Sequence, residues 1–131
     1  MLLPRVRDLE LKNYKISRNK YRELKYFCMQ YREKKERLNS ICEISAVTYS
    51  GMPSGSGTGD RTAKQAESRV QLQNDLELIE QTAIETDSIL YQYLISNVTD
   101  GIGYDYLDIP ASHSTFYRIR QKFFYLLSQK K

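Results

Sequence analysis

With 131 residues, 27% of them charged, and a formal net charge of +4, the chain suffices for one small domain, or a small domain and an arm, but not for a large enzyme cleft. Two cysteines and one histidine, with neither a CxxC nor an HxxxH spacing, argue against a disulfide framework and a zinc site, and nothing implies a cofactor. No apolar run approaches a bilayer span and charges enter within the first seven residues, so no secretory signal, anchor or membrane partner is expected, and the expected location is cytoplasmic.

The charge is unevenly placed along the chain. Residues 1–50 carry 12 Lys/Arg against 6 Asp/Glu, residues 61–108 carry 3 against 9, and residues 109–131 carry 5 against none. Two basic segments could face phosphates while the acidic one faces away. For residues 1–50 alone, an ordinary solvated surface explains the counts equally well.

Residues 1–47 read as a basic arm leading into a long helix. From Ser17 to about Ala46 there is no Gly or Pro, and Tyr21, Leu24, Cys28, Tyr31, Leu38 and Cys42 recur at three-four spacing, with Lys35 as the one polar interruption. That pattern predicts one amphipathic helix with a coiled-coil-like stripe that needs a partner. In such a helix Cys28 and Cys42 would stand roughly 21 Å apart along the axis, too far to pair. Glu23, Lys25, Arg32, Glu33, Lys34 and Glu36 fall between stripe positions, as a solvated face would.

Residues 48–61, "TYSGMPSGSGTGDR", predict a flexible linker. They lack the Gly-Lys-Ser/Thr step of a phosphate-binding loop. An acidic second helix is expected over 62–86, capped by Asp60 or Thr62, with Leu72, Leu76, Ile79 and Ala83 at heptad spacing. The linker is long enough for this helix to return antiparallel on the first, and the two stripes would bury each other or join those of a second chain. In the last segment, 87–131, Asp87-Ser88 can cap a third helix with Ile89, Leu90, Tyr93, Leu94 and Val98 on its apolar side, stopped by Gly101 and Gly103. No stretch alternates with period two, so the expected fold is all-α: two long helices in a coiled-coil-like hairpin plus a C-terminal helix-turn-helix.

The last 28 residues of that module carry most of the functional signal. Residues 104–109, "YDYLDI", fit one or two helical turns with Tyr104 and Leu107 available for packing, and Pro110 interrupts them. Ser112 or Ser114 can cap a final helix whose Phe116, Ile119, Phe123 and Leu126/Leu127 share one face. Its other sides carry Ser114, Thr115, Tyr117, Arg118, Arg120, Gln121 and Lys122, with His113 at the turn. A helix-turn-helix needs this layout, because the early exposed residues of its second helix must reach base edges in the major groove. Arg118 can bond guanine in two places and Gln121 adenine. Ser114, Thr115 and Tyr117 can bond phosphate or base, and His113, Arg120 and Lys122 can meet phosphates. The bland alternatives are a plain last helix of a bundle, a half-exposed polar His113 beside the cap, and aromatic rings that serve as core filler.

The rhythm "L.I....FYR.R..F...L", met here by Leu107, Ile109, Phe116, Tyr117, Arg118, Arg120, Phe123 and Leu127, resembles the region-4-type helix-turn-helix of sigma factors. The order of long basic helix, Gly/Ser linker with Gly59-Asp60-Arg61-Thr62, acidic Leu-rich helix and terminal helix-turn-helix is similar to small phage transcriptional regulators of the RinA/ArpU type. That resemblance implies control of phage or prophage genes through promoter DNA, possible contact with RNA polymerase or another host protein, and no enzymatic activity. The residues themselves add that a single small reading head usually needs a second half-site, so a homodimer is expected on double-stranded DNA. Two other roles fit the same residues: a helical interaction module that inhibits or adapts a host protein, and a small terminase-like DNA-packaging protein.

Overall fold

The computed structural model of the protein describes residues 15–49 and 58–131, and the side chains of 15–42 and 63–131. The expected basic arm before residue 15 and most of the expected linker lie outside the described residues. Those that are described form an all-α structure with no strand: α1 (Arg18–Met29), α2 (Tyr31–Tyr49), α3 (Thr58–Thr86), α4 (Tyr91–Asp100), a 3₁₀ turn (Tyr104–Tyr106) and α5 (His113–Lys130). None of these helices is long and apolar enough to cross a membrane.

Two compact units divide the chain. One comprises 15–30 with Leu78–Lys131, the other Tyr31–Glu77. Their boundaries fall at Gln30 and inside α3, which corrects the expectation of one continuous first helix. Gln30 leaves the α pattern: its N–H donates to the Phe27 carbonyl three residues back, at 3.3 Å. No Gly or Pro marks the position, so the break has no local signature. It coincides with the place where the chain passes from one packing unit to the other, and packing overrides helix propensity.

In the unit containing both ends of the described chain, Ser17 caps α1, its hydroxyl oxygen accepting the Lys20 N–H at 3.1 Å. Helix α1 packs against α4 and α5. Leu24, Phe27 and Cys28 meet Leu94 and Val98 of α4 and Phe116, Phe123, Phe124 and Leu127 of α5 in the buried core, completed by Ile79 and Ala83 of α3 and by Leu90. At about 1.5–3 kcal/mol for each large side chain removed from water, this core is the main source of the unit's stability. Phe27 and Phe124 lie outside the stripes that spacing suggested, and the reason for Phe124 is visible. Helix α5 has a second neighbour along its Arg120/Phe124 edge, where the Tyr21 ring of α1 meets Phe124 edge-on at 5.0 Å. One apolar stripe describes a helix with one partner.

Three threonines are buried in this core, and each is satisfied locally. The hydroxyls of Thr82, Thr86 and Thr99 donate to the carbonyls of Leu78, Thr82 and Ile95 at 2.5, 2.6 and 2.6 Å. Between α3 and α4 the Asp87 carboxylate accepts the N–H groups of Ile89 and Leu90 at 2.9 and 2.8 Å, the capping role expected of it. Helix α4 starts only at Tyr91, so Ile89 sits in the preceding turn and is 81% exposed rather than on the apolar side.

Gly101 ends α4 in the left-handed region at φ 71°, its N–H donating to the Asn97 carbonyl at 3.1 Å. A methyl group there would meet nothing within 4 Å, so the cost of Gly101→Ala is purely one of backbone conformation. We expect that variant to lose about 1 kcal/mol, seen as a lower urea midpoint at unchanged slope. A loss no greater than that of Ala at an exposed turn with ordinary φ would show that the cap does not hold α4.

In the second unit Leu72 and Leu76 are buried as their spacing suggested, and Lys34 of α2 pairs with Asp75 of α3 at 3.0 Å. Helix α3 begins at Thr58, so both expected caps, Asp60 and Thr62, fall inside it.

Candidate nucleic-acid interface

The approach to α5 is a single 3₁₀ turn rather than the expected one or two helical turns over 104–109, and Asp108, at φ 53°, bends the chain before Pro110. Asp is among the few residues with a Cβ that adopt this region at modest cost. The Tyr104 hydroxyl donates to the Ala111 carbonyl, and its ring meets His113 at 5.1 Å and Phe116 at 5.9 Å. One tyrosine thus fastens the 3₁₀ turn to the first turn of α5.

Ser112 is the N-cap of α5 and also heads a hydrogen-bonded row. Its Oγ accepts the Thr115 N–H at 3.2 Å and donates to Thr115 Oγ1 at 2.8 Å, and Arg118 Nη2 donates to the same Thr115 oxygen at 3.4 Å. Positions three apart on a helix are neighbours. The row therefore lays the Arg118 side chain back along the first turn, with its Nε buried.

The other candidate residues are divided among three surroundings. His113 is exposed and stacks at 4.4 Å on the half-buried Tyr117, so these two form an aromatic pair beside Tyr104. Ser114 is exposed and Lys122 half-buried, and they share with Arg118 one row at intervals of four. Arg120 points to the opposite side. Its Nε donates to Asn97 Oδ1 at 2.8 Å and its Nη1 to the Tyr21 hydroxyl at 2.9 Å, while its guanidinium lies 4.9 Å from the Phe124 ring centre. It ties α1, α4 and α5 together. Gln121 is half-buried and its Oε1 is inaccessible to solvent, without a hydrogen-bond partner.

The fold thus brings Ser114, Thr115, Arg118 and Lys122 to one side, groups His113 with Tyr117, and sets Arg120 and Gln121 apart from both. Tyr21 and Asn97, the partners of Arg120, were not among the expected functional residues. Tyr21 was legible only as a stripe position and Asn97 had no signal, because its role depends on contacts 23 residues away.

What this side can do chemically follows from its charge. Residues 109–131 contain five Lys/Arg and no Asp/Glu. The capped N-terminus of α5 adds the positive end of a helix dipole to exposed hydroxyl and imidazole groups. Such a surface suits a polyanion. No family model, curated protein or solved structure matches the chain.

Proposed function

We propose that the protein is a sequence-specific double-stranded DNA-binding transcriptional regulator, acting on phage or prophage genes, with α5 as its major-groove helix. The observation that carries this reading is the row of Ser114, Arg118 and Lys122 along the first three turns of a helix free of acidic residues. A row at intervals of four runs along the helix and can follow a groove, with Arg118 placed for guanine and the flanking groups for phosphates. His113, Thr115 and Tyr117 line its near edge. Arg120 contributes by holding the helix, and Gln121 faces elsewhere.

Helices α2 and α3 form the antiparallel hairpin that joins two copies. The Lys34–Asp75 pair, linking the start of α2 to a point late in α3, supports that direction of return. A symmetric dimer would present two copies of α5 to two half-sites.

The test is selection of a random-sequence duplex pool by the whole protein at two salt concentrations, repeated with Arg118→Ala/Lys122→Ala. An enriched motif is expected, with the double variant losing about 1–3 kcal/mol for the arginine and lowering the salt slope by about one for the lysine. Absence of enrichment together with indifference to both changes would sink the reading. The protein-adaptor alternative has one observation in its favour, the 81% exposed Ile89 and 86% exposed Tyr106.

A further inference from the structure

Beside the core of the first unit lies a cleft of about 360 Å³, between the start of α1 and the middle of α5. Its composition differs from that of an ordinary surface dent. Ile16, Tyr21 and Phe124 supply apolar and aromatic surface, Arg18 and Arg120 supply two guanidinium groups, and no acidic side chain lines it.

Three features point to a ligand of defined chemistry. Arg18 is exposed and makes no ion pair or hydrogen bond with any described residue, so it is an uncompensated cation at the rim. Arg120 is already oriented by Asn97 and Tyr21 through two of its five N–H groups, which leaves a rigid donor with capacity to spare. Gln121, which lines the same cleft, carries the buried Oε1 with no partner. A buried acceptor left unpaired is unfavourable, and such groups in native proteins call for an explanation. A bound molecule that brings an N–H donor to Oε1 would supply one.

We propose that this cleft binds a nucleoside monophosphate unit. Its phosphate meets Arg18 and Arg120, its base lies against the rings of Tyr21 and Phe124, and an N–H on the base edge donates to Gln121 Oε1. The volume falls in the range of small-molecule sites, and an apolar lining with a few convergent polar groups is their usual construction. Aromatic faces and guanidinium planes are the surfaces on which bases stack. This site is separate from the Ser114/Arg118/Lys122 row and does not depend on it. The nucleotide can be a free molecule or the terminal unit of a nucleic-acid strand.

Calorimetric titration of the whole protein with AMP, GMP, CMP and UMP tests the proposal, beside adenosine and inorganic phosphate as the two halves of the ligand and a 5′-phosphorylated dinucleotide as the strand end. At least one monophosphate, or the dinucleotide, is expected to bind saturably and at least tenfold more tightly than either half. Binding of a monophosphate marks the free molecule as the ligand, and binding of the dinucleotide alone marks the strand end. Arg18→Glu should weaken binding tenfold or more with melting unchanged, because Arg18 has no partner in the fold. Gln121→Leu should weaken it several-fold while melting at or above the native temperature, because the orphaned acceptor is gone. Absence of saturable binding, phosphate or adenosine binding as well as the whole nucleotide, or equal binding by the Arg18→Glu protein would overturn the proposal. No duplex enters the measurement, so this site and the DNA-reading helix stand or fall separately.

Discussion

Phe123→Ala is expected to lower the unfolding free energy by about 3–5 kcal/mol, the largest single effect among the substitutions considered. Phe123 is fully buried and its ring meets Phe124 edge-on at 5.2 Å. Truncation removes the transfer free energy of the ring, leaves a cavity that the surrounding helices can only partly close, and loses the aromatic pair, itself about 0.5–1.5 kcal/mol. Against a total of about 5–15 kcal/mol for a typical domain, this is a large share. Urea denaturation followed by circular dichroism reads it directly, and Phe123→Leu should recover at least half. A loss below about 1 kcal/mol would mean that α5 is not a core helix.

Arg120→Met should cost about 2–3 kcal/mol, and the expected size follows from what the guanidinium joins. Its hydrogen bonds to Asn97 and Tyr21 involve a charged donor, each of a kind that contributes about 1.5–3 kcal/mol in favourable cases, and the half-buried setting brings the sum down. Met keeps much of the aliphatic stem, so most of the loss reports the charge and its hydrogen bonds. A double-mutant cycle with Tyr21→Phe should give a coupling of about 0.5–2 kcal/mol, since the two side chains share one bond. Strict additivity would show that the contact between α1 and α5 carries no energy. Arg120→Met should also weaken any DNA binding in proportion to the loss of folded protein and no further, whereas a direct phosphate contact would weaken it in protein that remains folded.

Much of the architecture could be read along the chain because it rests on local rules. The all-α class, the burial of Leu72, Leu76, Ile79 and Ala83, the caps at Ser17, Asp87 and Ser112 and the stop at Gly101 follow from periodicity and from which side chains can satisfy a helix end. Each involves residues at most a few positions apart. The break at Gln30 was not legible, since no residue there resists helix and the cause lies in which core the flanking segments join.

The candidate site divides in the same way. Sequence alone determined that the chain ends in a basic, acid-free, Ser-capped amphipathic helix, because composition, capping and helical spacing are properties of neighbouring residues. It could not say which polar side chains of that helix look outward, because a face is defined by what packs against it. Only the tertiary structure decided that Arg120 turns inward to Asn97 and Tyr21, that Gln121 lines a cleft, and that Ser114, Arg118 and Lys122 remain on one side. The deciding partner, α1, lies nearly a hundred residues upstream, and pairing over such a separation is set by how the cores fit together rather than by any local pattern.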